Sequence, residues 1–248
     1  MRHIFITGVS SGIGHALALL HLGRGDEVWG VSRRTPEDLL QRPGFHFRAL
    51  DLCAPEQAHT ALQTFIGETL FETAYLNAGT FGGEPKPASQ TSLEEFRGVL
   101  DLNLLGVKWV LDLLLCREMR PDNVVLSASV SGIRQRAGML SYSVSKAGLN
   151  ALAKVYRLEN PDVFFALFGL CNVDTTVART ILKADERFTE LVALRERSLQ
   201  PGYIVSPRER AEHIDMLMAR RKALNLQSGQ FYEVRQLLEC AHMEACAT

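Results

Sequence analysis

Ile4-Phe5-Ile6-Thr7-Gly8-Val9-Ser10-Ser11-Gly12-Ile13-Gly14 sets a β-type apolar run directly against a glycine-rich turn, and Ala16, Leu17, Leu19 and Leu20 then follow at helical spacing. A strand that ends in such a turn and reopens as a helix is the opening half of a βαβ unit. Gly8 permits the tight turn out of the strand, Gly12 lets backbone approach a pyrophosphate, and Gly14 lets helix pack closely on sheet. Free N–H groups and the helix dipole favour the phosphate charge there. Gly8, Ser10, Ser11, Gly12, Ile13 and Gly14 are therefore the first candidate cofactor-binding residues.

Outward from this turn, short apolar runs alternate with longer helical stretches. Strands are predicted at Val28–Val31, Phe45–Leu50, Ala74–Leu76, Asn123–Ser127, Val163–Phe168 and Gln230–Val234. Helices are predicted from Pro55 to about Thr69, from the capping box Ser92-x-x-Glu95 to about Met119, and from Ser141 to about Leu158. No repeat, low-complexity tract or linker divides the chain. The expectation is one α/β domain over residues 1–248, a Rossmann-type doubly wound parallel sheet of about seven strands with helices on both faces. The 92–119 helix is apolar nearly all round, from Leu100 through Trp109 to Leu115, so more than one side must be covered. Either it is a core helix or it is shared with a second subunit, and the second reading predicts a homodimer or homotetramer.

Composition excludes several classes. The 248 residues are 46% hydrophobic and 22% charged, and 27 basic residues balance 28 acidic ones to a net charge of −1. Such a balance leaves no electrostatic footprint for nucleic acid or an anionic membrane surface. No apolar run approaches the roughly 20 residues of a membrane span. Cys53, Cys116, Cys171, Cys240 and Cys246 form no CxxC pair and have no histidine at ligand spacing, which argues against zinc and against a disulfide framework. A strand that begins within three residues of Met1 leaves no room for a signal or transit peptide, and a cytoplasmic protein is expected.

The second strand is followed by Ser32-Arg33-Arg34. A carboxylate at this edge would bond both ribose hydroxyls of NAD(H), whereas basic residues suit the 2′-phosphate of NADP(H). Arg33 can clamp that phosphate, Ser32 can donate a hydroxyl, and Arg34 adds charge or stacks on adenine. NADP(H) is accordingly favoured over NAD(H). Further on, Tyr142-x-x-x-Lys146 puts a phenol and an ammonium on one helix face, 13 residues after Ser129 at the end of a Val-rich strand. A nearby cation stabilises phenolate, so the Tyr142 pKa is expected to fall.

On these motifs the sequence resembles the short-chain dehydrogenase/reductase family, from about Ile4 to Thr175 and more loosely near the C-terminus. Thr7 to Gly14 matches the family's TGxxxGxG. Asp51, followed by Leu52, matches its adenine-contacting acid, and Asn77-Ala78-Gly79 its NAG turn, although Leu76 stands where an Asn often precedes it. Asn103, Ser129, Tyr142 and Lys146 match its four catalytic types. The resemblance implies that Tyr142 exchanges a proton with the carbonyl or alcohol oxygen and that Ser129 holds that oxygen. It implies that Lys146 lowers the Tyr142 pKa and bonds the nicotinamide ribose, and that Asn103 helps hold a proton-relaying water. Where the family shows Pro-Gly-x-Val-x-Thr beside the nicotinamide, this chain reads Leu170-Cys171-Asn172-Val173-Asp174-Thr175. Val173 and Thr175 survive to hold the carboxamide; Cys171 reads as a small packed residue, with a reactive thiol as the alternative.

The substrate lid is expected over about 176–207, with Lys183, Arg187, Arg195 and Arg197 either facing solvent or binding an acidic or acyl-carrier substrate. The region near Ser206-Pro207 and the tail Ser228–Leu238 look more similar to sepiapterin-type and benzil-type carbonyl reductases. The implied activity is NADPH-dependent reduction of a ketone or aldehyde, or the reverse alcohol oxidation, without a metal. Two alternatives stay open: an NAD-dependent alcohol dehydrogenase, and a catalytically idle dinucleotide sensor on the same fold.

Overall fold

In the computed structural model, which describes residues 1–239 apart from 117 and 119, the predicted alternation takes the following form. The first half runs β1 (His3–Thr7), α1 (Gly12–Leu22), β2 (Glu27–Ser32), α2 (Glu37–Leu40), β3 (Phe45–Ala49), α3 (Pro55–Ile66) and β4 (Thr73–Leu76). Then come α4 (Leu93–Leu100), a π-turn over Asp101–Leu105, α5 (Gly106–Leu115), β5 (Asn123–Ala128), α6 (Leu140–Glu159) and β6 (Phe164–Gly169). The last elements are α7 (Thr176–Ile181), α8 (Thr189–Ser198), α9 (Pro207–Ala219) and β7 (Phe231–Glu233). The strands form one seven-stranded sheet in the order β3-β2-β1-β4-β5-β6-β7, and every neighbouring pair is parallel. Strand order reverses between β1 and β4, which opens a crevice at their carboxyl ends.

A parallel sheet must be covered on both faces, and the period-two alternation of side chains divides each strand between two cores. Phe5, Val124, Leu126, Phe165 and Leu167 point to the face lined by Leu62 of α3, Leu111 and Leu114 of α5 and Leu149 of α6. Ile4, Ile6, Val125, Ala166 and Phe168 point to the other face, against Leu17 of α1 and Ile214 and Leu217 of α9. Helix α9 was not anticipated from the sequence, although it opens with clear signals: Ser206 Oγ accepts the Glu209 N–H at 3.1 Å and Pro207 occupies the first turn. Without it that face of the sheet would be left largely to α1.

The stretch predicted as one helix over 92–119 is two helices joined by the π-turn. The capping box forms as expected, with Ser92 and Glu95 bonding reciprocally. Leu111 and Leu114 are fully buried within the chain's own core, between the sheet and α3 and α6. The core-helix reading thus holds for Leu111 and Leu114. The expected helix end at Met119, and the thiols Cys240 and Cys246, lie outside the described residues. Among the described residues no helix is long and apolar enough to cross a membrane.

At the end of the sheet opposite the crevice lies a buried polar chain. Tyr75 Oη is 3.2 Å from His21 Nε2, His21 Nδ1 is 2.9 Å from Asp26 Oδ2, and Arg2 donates to Asp26 at 2.7 Å. Burial alone would raise the Asp26 carboxyl, but the bonds from Arg2 and His21 outweigh it and hold the pKa down to about 2. Burial lowers the His21 pKa in spite of the carboxylate beside it, so His21 folds neutral. Both shifts destabilise the fold in acid. The His21 contribution is lost as pH falls through its unfolded value of 6.5, and that of Asp26 as pH falls from 3.8 toward 2. Asp26→Asn should therefore cost about 1–3 kcal/mol at neutral pH, and the gap to the parent should close below pH 3.8. Urea titrations across this range check it; a gap independent of pH would contradict the assignment.

Candidate active site

Thr7, the last residue of β1, is buried, and its Oγ1 accepts the N–H groups of both Asn77 and Ala78 at 3.0 Å. That pair of bonds draws the turn after β4 onto the glycine-rich turn after β1. The approach leaves no room for side chains: a Cβ on Gly8, whose φ is +82°, would lie 3.0 Å from Ala78 Cα. A Cβ on Gly14 would meet the Gly8 carbonyl oxygen at 2.4 Å and Asn77 Nδ2 at 2.7 Å. Asn77 is held in turn, its Oδ1 accepting from Ser127 Oγ at 3.0 Å. The role of Thr7 escapes a sequence reading, because its partners lie 70 and 71 residues away.

Except for Gly14 and Asn103, all of the residues proposed from sequence line one cleft of about 1080 Å³ across the crevice. At one end are the glycine-rich turn, the β2 edge and Asp51-Leu52. Arg33 and Arg34 are exposed, and Arg34 Nη2 lies 3.4 Å from Ser11 Oγ. Ser32 is corrected: its hydroxyl donates to the Arg34 carbonyl at 2.7 Å, so it shapes the loop rather than offering its proton to a phosphate. Leu52 is anchored by its carbonyl, which accepts from Trp109 Nε1 at 2.9 Å, and this fixes Asp51 beside it.

At the other end, α6 brings Tyr142 and Lys146 one turn apart, beside Ser129 just past β5. Lys146 Nζ donates to the Ser127 carbonyl at 2.7 Å and stands 5.7 Å from the centroid of the Tyr142 ring. Burial brings the Lys146 ammonium down to about 8. The expected lowering of Tyr142 is also corrected. Burial pushes its phenol above the ordinary value of 10.0, and a hydrogen bond with the Ser129 side chain offsets only part of that. The ring sits in an apolar cluster with Phe81, Met139 and the lid residues Ala184, Phe188 and Leu191, where a phenolate is poorly solvated.

Asn103 occupies the middle of the π-turn and is fully buried. Its Oδ1 accepts the Thr80 N–H at 2.8 Å, and its Nδ2 donates to the Thr80 carbonyl at 2.8 Å and to Ser145 Oγ at 3.0 Å. Ser145 Oγ donates onward to the Tyr142 carbonyl at 2.8 Å. The Asn103 amide is thus a positioning group that ties the Gly79-Thr80 turn to α6, with both of its ends engaged by protein. Ser145 and Ser127 were not singled out in the sequence, and only the folded contacts reveal them.

After β6 the chain turns at Cys171, whose φ is +55°. This is a left-handed conformation that glycine adopts freely, and it is adopted here at the position where Pro-Gly was expected. The thiol donates to the Gly169 carbonyl at 3.2 Å and lies 3.4 Å from Glu233 Oε1. Burial pushes it up to about 11, which favours the packed over the reactive reading. Beyond it Val173 bridges to Val205, and Thr175 Oγ1 caps α7 by accepting the Ala178 N–H at 3.4 Å. The lid consists of α7 and α8, closed over the apolar cluster.

The comparisons agree with this geometry. A family model described as short chain dehydrogenase matches residues 2–183. The chain is 30% identical over 220 residues to a 3-dehydrosphinganine reductase of Arabidopsis thaliana, covering 82% of this chain and 64% of that protein. It thus spans less than two thirds of that relative's length. It is 28% identical over 227 residues to a benzil reductase ((S)-benzoin forming) of Bacillus cereus, covering 82% of this chain and 91% of the relative. Among solved structures, an alcohol dehydrogenase of Thermococcus sibiricus complexed with 5-hydroxy-NADP superposes with a TM-score of 0.73 at 24% identity, over 94% of this chain and 95% of that one.

The backbone at position 171 provides a direct test. Cys171→Ala keeps the Cβ strain and loses the thiol bond, whereas Cys171→Gly removes both. The glycine variant should be the more stable of the two by about 1 kcal/mol, read as the difference in urea midpoints. Equal stabilities would show that position 171 does not hold a left-handed conformation.

Proposed function

The chain belongs to the short-chain dehydrogenase family, and from that membership we propose that it is an oxidoreductase that reduces a ketone or aldehyde with NADP(H) in preference to NAD(H). The observation that carries this reading is Tyr142 and Lys146 on one face of α6, beside Ser129, in a cleft whose far end is the glycine-rich turn. The turn fits a dinucleotide. Gly8 and Gly12 hold positive φ and leave the N-terminus of α1 bare of side chains, where a pyrophosphate gains from free N–H groups. The names of two relatives, a 3-dehydrosphinganine reductase and a benzil reductase, favour the reducing direction.

The nicotinamide, when bound, supplies the hydride. Tyr142 gives its phenolic proton to the carbonyl oxygen, and its raised pKa keeps that proton on the ring at neutral pH. Ser129 Oγ accepts the Ser131 N–H at 3.2 Å, and its own proton, turned to Tyr142 in the free protein, turns to the same oxygen when substrate binds. Lys146 spends one of its N–H groups on Ser127, leaving the rest for the ribose hydroxyls and for returning a proton to Tyr142. Arg33, exposed and without an ion pair among the described residues, takes the 2′-phosphate, with Arg34 beside it; Asp51 meets adenine, and Val173 and Thr175 hold the carboxamide. The exposed apolar stripe Val144, Ala151, Val155 and Leu158 on α6 supports a homo-oligomer.

Four outcomes follow for the purified protein. A panel of ketones and aldehydes should consume NADPH, read by absorbance, and silence across a broad panel would favour the sensor reading. Tyr142→Phe should retain NADPH binding and lose roughly 10²- to 10⁴-fold in turnover. Arg33→Ala should narrow the preference for NADPH over NADH by about tenfold; tighter binding of NADH by the parent would overturn the cofactor assignment. Light scattering should give a mass of two or four chains.

A further inference from the structure

Three of the arginines that line the cleft are already ion-paired. Arg179 bonds Asp174 at 2.8 Å, Arg235 lies 3.4 Å from Glu233, and Arg134 bonds Glu190 of α8 at 2.7 Å. Of the lid cations suspected from sequence, Arg187 bonds Asp185, Arg195 bonds Glu186, and Lys183 lies 3.9 Å from Glu84. Setting aside Arg33 and Arg34 at the cofactor end, two cleft-lining guanidinium groups make no ion pair or hydrogen bond among the described residues: Arg136 and Arg197.

Arg197 is exposed, whereas the setting of Arg136 is unusual for a free cation. Arg136 is half-buried, three residues before Met139, which packs in the same apolar cluster as the Tyr142 ring. Burial lowers its pKa, and the nearby positive charges of Arg134 and Arg197 lower it further, while Glu190 acts the other way. The carboxylate of Glu190 is already bonded to Arg134. Three cations therefore share one anion at the lid end of the cleft. Arg136 is thus a half-buried cation short of counter-charge, with the exposed Arg134 and Arg197 near it, and an anion in the cleft would relieve it.

We propose that Arg136 and Arg197 form an anion-binding subsite for the substrate, so that the carbonyl compound reduced at Tyr142 carries a carboxylate or phosphate beyond its reacting carbon. The proposal rests on the oxidoreductase reading of the same cleft and adds the charge class of the substrate. Arg136 supplies a planar fork of N–H donors, and Arg197 approaches from α8, so the anion is held between the floor of the cleft and its lid. The Arg134–Glu190 bond joins the same two parts, fixing the lid where Arg197 can reach the anion. The pairing of Arg187 with Asp185 leaves that arginine outside the subsite and makes it the control.

The test uses 4-benzoylbutyrate against its methyl ester, and dihydroxyacetone phosphate against dihydroxyacetone, with NADPH and the intact protein. Within at least one pair the anion should have the higher kcat/KM. In Arg136→Gln and Arg197→Gln the ratio of anion to neutral ketone should fall about tenfold or more, through KM, while Arg187→Gln keeps the parental ratio. The pair that shows the effect tells carboxylate from phosphate. Since Arg136 has no partner to lose, Arg136→Gln should melt no lower than the parent, so a lost ratio is not a folding defect. A parent that prefers the neutral ketone in both pairs, or a ratio untouched in both variants, overturns the proposal. If no ketone is reduced, the oxidoreductase reading fails on its own. The subsite is then judged by melting-temperature shift with 4-benzoylbutyrate or dihydroxyacetone phosphate: a shift in the parent that is lost in Arg136→Gln supports it, and no shift in the parent overturns it.

Discussion

Two N–H groups converging on the hydroxyl of Thr7 hold the two halves of this sheet together at the point where its strand order reverses. Strands β1 and β4 are neighbours, yet their following turns lead to helices on opposite faces, so the chain ends would splay apart unless something tied them. A hydroxyl at the end of β1 does this with one acceptor and two donors. The tie is feasible only because Gly8 lets Ala78 approach within contact distance. The same crowding places Asn77 over Gly14 and delivers Asn77 Oδ1 to Ser127, whose carbonyl then holds Lys146. Thus the geometry of the proton-transfer end descends from packing at the phosphate end, through four hydrogen bonds.

Around Tyr142 and Lys146 the dominant force is desolvation. Both groups are buried, and burial is the leading cause of both shifts: the phenol rises and the ammonium drops to about 8. Each group is driven toward its neutral form, so two values that start at 10.0 and 10.5 move apart. The rise leaves the proton on Tyr142 at neutral pH, as the reductase reading requires. The lowering of the Tyr142 pKa expected from the adjacent lysine is a Coulombic argument that holds in a solvated setting; the apolar wall of Phe81, Met139 and Phe188 reverses its outcome in the free protein.

This contrast separates what was legible in the sequence from what was not. Strand alternation, the glycine turn and the Tyr142–Lys146 spacing are local properties, each set by a few consecutive residues, and the sheet and the cleft follow from them. Hydrogen-bond partners far apart in the chain were not legible. Ser32 looks like a free donor until the loop folds its proton onto Arg34, and nothing in the sequence shows that the Asn103 amide joins Thr80 to Ser145. The π-turn was hidden for a related reason: residues 92–119 read as continuous apolar helix, and the extra residue per turn shows only in the bond from the Gly106 N–H to the Asp101 carbonyl. At Cys171 the sequence showed a missing glycine but not that the backbone keeps the glycine conformation.

Electrostatics at the two ends of the cleft bear on the chemistry between them. The net charge of −1 conceals a local excess, with Arg33 and Arg34 at one end and Arg136 and Arg197 at the other. On the reductase reading, reduction would move a hydride onto carbon and build negative charge on the oxygen beside Tyr142. Between two positive ends and within an apolar wall, that charge would be stabilised by a field already oriented before reaction, with little reorganisation needed. Lys146, between the two ends, owes its lowered pKa to burial rather than to those charges, so the field acts on the reacting oxygen and not through the ammonium.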